Sequence, residues 1–448
     1  MEEVLTPVES QTFEKKHLQN VFAALEGSIS KATELRDAEL VKNPDLRRAL
    51  NIVEAFLRKK KRVCYGGMAI NAHLPSQLKF YDFSKTLPDY DFFTPEADSD
   101  VKELVSMLKR DGFNDVDARL GIHKGTTKIF VDYNAVADVT FLPEWFFEIL
   151  KKRAIEDDGI YYADANFLRM NMYLELSRPR GEVERWEKIY KRLLLLNLVK
   201  KPSSERCLTR KGSVNRLSKS IRKSLIDYCI QQDFIFASAD LKRVYSHPGS
   251  LSAGYILNTT NPVIAYAETP EYYLPIMRQI VHDQDPSLKL QNMHWSARGD
   301  LLPEMYGLAA NGRIIVLLIN QEFCNAYNVV SLPEGKKLKI VALDTAITLF
   351  YMLGFVKGLE GIVPKSASCF AEALVAVSGA TRDKGIVSKF PYFVTSCQGH
   401  QPSKATLLKQ KAERIARLKM KQKQKQERQT RKIKKSSFAY KKTRKERR

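Results

Sequence analysis

Two aspartates one residue apart, Asp89 and Asp91, sit in LPDYDFFTP, an aromatic run bracketed by prolines. That texture reads as a strand. Alternate side chains of a strand share a face, so the two carboxylates project together, with Cα atoms about 6–7 Å apart. Like charges held so close repel unless cations sit between them. Hard divalent ions such as Mg²⁺ or Mn²⁺ take oxygen ligands, and a third carboxylate from a neighbouring strand completes a site for two ions about 3.5–4 Å apart. Asp138, in AVADVTF, is the candidate third ligand, and Asp132 on the same stretch is the fallback.

Upstream, KRVCYGG reads as a short buried strand ending in Gly66-Gly67, and MAINAHL can start a helix at once. Bare backbone N–H groups at a helix start can cradle a triphosphate. A phosphate cradle beside carboxylate-held metals points to in-line attack of a hydroxyl on an α-phosphate, with pyrophosphate leaving. Taken singly, a glycine pair is usually a turn and Asp-x-Asp is usually a solvated pair. The order strand–GG–helix, strand–DxD, strand–D is what carries the reading.

Around this core, residues 11–41 hold Phe13, Leu18, Val21, Phe22, Leu25 and Ile29 at helical spacing. Pro44-Asp45 opens a second helix to about Lys59, with Leu46, Leu50, Val53, Phe56 and Leu57 on its apolar side. DSDVKELVSMLKRDGF reads as a helix capped by Asp98 or Ser99. Residues 126–142 hold two β-rich runs broken around Asn134, and the chain from 143 to 200 turns helical. Residues 201–220 are polar and basic and read as a linker. Beyond them GSLSAGYILN, PVIAYAE, GRIIVLLIN and KLKIVAL are strand-like, and LDTAITLFYMLGFV is a closing helix. DYDFFTPEADSDVKELVSML and IAYAETPEYYLPIMRQIV align on Thr94-Pro95 and Thr269-Pro270, which sets Asp89 against Ile264 and Asp91 against Tyr266. Such an echo predicts a second mixed sheet without metal ligands over about 236–355.

Charge is unevenly spread. The chain of 448 residues carries +22, of which residues 404–448, with 20 basic and 3 acidic residues, supply +17. A nearly balanced body with a basic tail points to a polyanionic partner, the simplest being RNA; a targeting address is the competing reading. With no apolar run of about 18 residues, no membrane-spanning helix is expected. Cys64, Cys207, Cys229, Cys324, Cys369 and Cys397 form no C-x-x-C pair and read as reduced thiols.

CYGGMAIN, LPDYDFF, VADVTFLP and LELSRPRGEVERWEKIYKRLLLLN together resemble the poly(A) polymerase catalytic subunit of the large nucleocytoplasmic DNA viruses, in the nucleotidyltransferase superfamily. The resemblance runs over about residues 50–200 and more loosely to 355. It implies an α+β fold: a polymerase-β-like nucleotidyltransferase domain with a mixed sheet and helical segments, then a second, degenerate copy. The organisation expected is an N-terminal helical segment (1–60), a catalytic domain (61–150), a helical region and basic linker (151–235), the degenerate domain (236–402) and a basic tail (403–448), disordered or helical. By the same resemblance Gly66 and Gly67 hold the triphosphate of ATP, and Asp89, Asp91 and Asp138 hold two Mg²⁺ or Mn²⁺ ions. The 21 residues between Gly67 and Asp89 exceed the spacer of many cellular relatives. Ser177, Arg178, Arg185, Lys188 and Arg192 are candidates for triphosphate or RNA contacts; a solvated helix surface with Trp186, Ile189 and Leu193 packed inward is the alternative.

The implied activity is template-independent addition of AMP to RNA 3′ ends in viral mRNA maturation. The alternatives are a tRNA-end or oligoadenylate-type nucleotidyltransferase and a catalytically silent RNA-binding factor on the same fold. ATP over CTP is a choice only the resemblance makes. It further implies a second copy or a viral processivity subunit as partner, no membrane, and action in the host cytoplasm at the viral factory or within the virion.

Overall fold

The computed structural model describes residues 7–81, 84, 86, 87, 89–202, 217–246, 256, 261–297, 302–356, 359, 367–383 and 393–445. The fold is α+β, and the chain divides into two compact units. One comprises the chain up to Arg119 with Thr127–Ala163; the other comprises Leu120–Thr126 and everything from Asp164 onward.

The first unit opens with helices α1 (Pro7–Val41) and α2 (Pro44–Lys60). The Asn43 side chain caps α2 by accepting from the Asp45 and Leu46 N–H groups, and Pro44 fills the first turn, where no N–H is needed. Leu46, Leu50, Val53, Phe56 and Leu57 are all buried, as their spacing predicts. On α1 the outcome differs: Leu18, Val21, Phe22, Leu25 and Ile29 are exposed.

Next come β1 (Val63–Cys64), α3 (Gly66–His73), β2 (Tyr90–Thr94), α4 (Ala97–Arg110), β3 (Val116–Leu120), β4 (Thr126–Val131) and β5 (Asn134–Phe141). Helix α5 (Glu144–Arg153) and strands β6 (Ile155–Asp157) and β7 (Ile160–Tyr162) complete the unit. The sheet order is β3-β4-β5-β2-β1-β7-β6. Strand β2 runs parallel to β5 and antiparallel to β1, and β1 runs parallel to β7.

Neither Asp98 nor Ser99 caps α4. The helix starts earlier, after Glu96, and the Thr94 hydroxyl oxygen accepts from the Glu96 N–H. Asp100 instead faces inward and is fully buried. It accepts from Arg62 Nε at 2.7 Å, Arg62 Nη2 at 3.0 Å and the Thr94 hydroxyl at 2.5 Å. Removing one partner of so buried a pair typically costs about 3–5 kcal/mol, so this cluster ties the strand carrying Asp91 to α4.

In the second unit, α6 (Ala165–Leu176) and α7 (Trp186–Val199) lead to α8 (Lys219–Gln231). Residues 203–216 of the expected linker lie outside the described residues, as does most of GSLSAGYILN. Then follow β8 (Ile235–Phe236), α9 (Leu241–Ser246), β9 (Val263–Ala267), α10 (Pro270–Gln284), β10 (Leu290–Trp295), β11 (Met305–Ala310) and β12 (Arg313–Asn320). The remainder is β13 (Asn325–Ser331), β14 (Lys337–Val341), α11 (Leu343–Leu353), α12 (Ala367–Asp383), β15 (Cys397–Gln398) and α13 (Lys404–Lys445).

This sheet has the order β10-β11-β12-β9-β8-β14-β13-β15. Without β15 it repeats the first sheet strand for strand in chain order. The senses repeat too: β9 is parallel to β12 and antiparallel to β8, and β8 is parallel to β14. The second copy expected from the echo is present, in a corrected register. Tyr65 N–H donates to Asp91 O, and Ala237 N–H to Ile264 O; Leu142 N–H donates to Thr94 O, and Gln321 N–H to Ala267 O. Asp91 therefore matches Ile264, and its cross-strand partner Asp138 matches Leu317, the partner of Ile264. Aligning the Thr-Pro pairs is two residues out, because Pro95 precedes α4 while Pro270 is the first residue of α10. A shift of two keeps every side chain on its face, so the second copy still presents apolar residues there.

The expectation of reduced thiols is overturned for Cys324 and Cys397. They are 73 residues apart in sequence, yet they form a disulfide with Cα atoms 5.3 Å apart, beside the pairing of β15 with β13. Cys64 and Cys229 are free and buried. The basic tail is helical as α13, about 60 Å long at 1.5 Å per residue. Near its start Arg414 Nη2 donates to the Ile122 carbonyl at 2.7 Å.

Candidate active site

Parallel pairing of β2 with β5 places Asp91 directly beside Asp138. Asp89 lies two residues before Asp91 and shares its face. One carboxylate oxygen from each of Asp89, Asp91 and Asp138 lies within 4.8 Å of the others. Among the described residues this is the group of acids, histidines or cysteines close enough to share a metal ion. Asp132, the fallback, is elsewhere: it sits at the β4–β5 turn with φ 47°, its N–H bonded to Asp115 O.

The three carboxylates differ in their surroundings. Asp138 is 8% exposed, whereas Asp89 and Asp91 are half-buried. Burial pushes the Asp138 carboxyl above its ordinary range; Lys128, whose Nζ pairs with Oδ2, works in the opposite direction, and Asp89 reinforces the rise. Its Oδ1 is buried without a hydrogen-bond partner. Lys128 was missed in the sequence, since a lone lysine in TTKIFV gives no signal of what lies opposite it.

The glycine pair adjoins this cluster. Gly66 begins α3 with φ +67°, in the left-handed region where glycine is favoured. Tyr65, just before it, stacks on Phe93 with ring centroids 4.0 Å apart and shares a hydrogen bond of 2.9 Å with the Thr140 hydroxyl. Burial raises the Tyr65 phenol far above its ordinary value, with Asp91 adding to the rise. Tyr65 is therefore a neutral wall of the site.

The donor set fits divalent ions. Three carboxylates converge, and one presents a buried oxygen that no protein donor satisfies. Oxygen-only ligation suits Mg²⁺ or Mn²⁺.

The other candidates belong to the second unit. Ser177 closes α6, is 1% exposed, and donates its hydroxyl to Leu174 O at 2.8 Å. Arg185 pairs with Glu182 at 3.0 Å and Glu175 at 3.4 Å. On α7, Lys188 is exposed and Arg192 half-buried, while Ile189 and Leu193 pack inward. Trp186 is half-buried and donates Nε1–H to Glu175 O at 3.1 Å.

The strand order, its repeat in a second sheet and the acidic cluster match the architecture that the motif resemblance implies, a mixed-sheet domain followed by a second copy without the carboxylates. Residues 51–182 match the family model described as poly(A) polymerase catalytic subunit, the family the motifs resemble. A protein of Acanthamoeba polyphaga mimivirus named for that subunit is 30% identical over 174 residues, covering 36% of this chain and 29% of the relative. One from African swine fever virus is 29% identical over 164 residues, covering 35% and 33%. The chain thus spans about a third of the length of the curated relatives it matches. The crystal structure of the Megavirus polyadenylate synthase matches with a TM-score of 0.68 at 18% identity, over 95% of this chain and 84% of that one, and so shares the fold.

Proposed function

We propose that the chain is a polynucleotide adenylyltransferase that adds AMP from ATP to RNA 3′ ends without a template. The observation that carries this is the convergence of Asp89, Asp91 and Asp138 beside Gly66. In the reaction the 3′-hydroxyl oxygen bonds to the α-phosphorus and the bond to the β-phosphate bridging oxygen breaks. Pyrophosphate leaves, and the hydroxyl proton passes to solvent. Divalent ions bound by the triad supply nucleophile activation and charge neutralisation on the leaving group. The N–H groups at the start of α3 face the triphosphate, and the absence of a side chain on Gly66 keeps that approach open. Lys188 and Arg192 supply positive charge for phosphate contacts. For Ser177 the same assignment requires its hydroxyl to leave Leu174 O.

RNA is the polyanion that the tail charge favours, and viral mRNA maturation in the host cytoplasm is the setting. The partner subunit is a second copy or a viral processivity factor. Purified protein given labelled ATP, CTP, GTP or UTP with Mg²⁺ or Mn²⁺ and a short RNA tests the reading. A ladder with ATP that disappears in Asp91→Ala supports it. CTP addition limited to a few residues, or no addition, goes against it.

A further inference from the structure

Lys128 on β4 and Asp138 on β5 lie on adjacent strands. The Lys128 ammonium pairs with Asp138 Oδ2. The two ends of this pair are unequal: the Asp138 side chain is 11% exposed and the Lys128 side chain 38%. A pair formed only on the surface would leave both ends in water. Here the acid is fixed inside, next to two more carboxylates, and the base reaches in on a flexible stem from a half-open position. Its tip is a compact, strongly hydrated charge with rotatable donors.

Three carboxylates with oxygens within 4.8 Å of one another carry a repulsion that one nearby cation reduces. We propose that Lys128 is a built-in counter-charge for the triad, a positioning residue that steadies Asp138 when no divalent ion is bound and opposes binding of that ion. The proposal rests on the reading of the triad as a metal site. A divalent ion approaching Asp138 either works against the field of the Lys128 ammonium or drives it out toward solvent. Either way, removing the positive charge tightens metal binding and weakens the metal-free fold. A lysine held there to meet substrate phosphate would instead leave metal affinity unchanged and weaken ATP binding.

The test uses the full chain as wild type, Lys128→Met, Lys128→Gln and Lys128→Arg. Free Mn²⁺ is titrated by electron paramagnetic resonance, and thermal unfolding is followed in EDTA and in saturating Mn²⁺. Lys128→Met and Lys128→Gln should bind Mn²⁺ about five- to tenfold more tightly, the scale of about 1–1.4 kcal/mol. They should melt below wild type in EDTA, with the gap closing in Mn²⁺. Lys128→Arg keeps the charge and should stay near wild type. Unchanged or weaker Mn²⁺ binding in both neutral variants overturns the proposal and leaves the metal-site reading standing. No saturable Mn²⁺ binding in wild type, with Asp138→Ala as control, overturns both.

Discussion

A β-carbon placed on Gly66 would lie 2.3 Å from the Asp91 Oδ2 atom. The left-handed φ of +67° compounds the conflict, since an L-residue held there costs about 1–2 kcal/mol. Gly66→Ala should therefore cost about that much in chemical denaturation. It should also abolish nucleotide addition, because Asp91 must move to make room. Full primer extension by a stable Gly66→Ala protein would show that Asp91 can shift without consequence.

The triad gives a sharper contrast. Asp89→Ala, Asp91→Ala and Asp138→Ala should each lower nucleotide addition at least a hundredfold while the protein stays folded, because a metal ligand is lost. Asp132→Gly is the matched control. It sits at a positive-φ turn outside the cluster, where glycine fits, and should keep activity within about twofold. Single-nucleotide extension under saturating ATP and RNA measures all four.

Glu103 on α4 meets two lysines of α2, Lys60 at 2.7 Å and Lys59 at 2.9 Å. Their hydrogen bonds, Lys60 foremost, hold its carboxyl at about 2 instead of its ordinary 4.5. A carboxyl whose pKa falls on folding stabilises the fold above its ordinary range and loses that contribution as pH falls toward about 2. Wild type should therefore outlast Glu103→Gln in urea near neutral pH, and the two midpoints should converge in acid. Lys59 is exposed and Lys60 and Glu103 are half-buried within reach of solvent, so 1 M salt should shrink the neutral-pH difference. A gap that persists at low pH would assign the effect to something other than ionisation.

Removing 404–448 changes the formal charge from +22 to +5. Each Lys or Arg paired with a single-strand phosphate contributes about −0.7 to the log–log salt slope, so five such contacts are worth about 3–4 units. The 1–403 protein should lose that slope, bind RNA more weakly and add fewer nucleotides per encounter. Addition of the first adenylates at saturating primer and low salt should survive. Superimposable salt plots for the two proteins would identify the tail as an address.

The acidic cluster was legible because strand periodicity is short-range: Asp-x-Asp fixes one face without knowledge of the rest of the fold. Asp138 needed only the guess that a neighbouring strand runs alongside, which the β2–β5 pairing provides. What escaped the sequence depends on contacts distant along the chain. The Cys324–Cys397 bridge joins residues 73 apart. The pairing of Lys128 with Asp138 depends on β4–β5 register, and the inward turn of Asp100 depends on Arg62. MYGLAA and NAYNVVS, which the sequence left unassigned, form β11 and β13, each one strand in from a sheet edge and paired on both sides. Their neighbours in the sheet, not their own propensity, decide that. The Thr-Pro echo misled by two residues because a proline marks a helix start loosely, before its first turn or within it.

The repeated strand order also bears on how the chain avoids misassembly. Two sheets of like topology in one polypeptide invite strands of one copy to pair within the other during folding. Inserting β2 into the second sheet in the matched register would set Asp91 against Leu317, among residues that are fully buried and apolar. An ionised carboxylate cannot be accommodated there without a partner. The same replacements that remove carboxylates from the second copy thus make the second sheet a poor host for β2, which finds its favourable neighbour β5 only in its own sheet.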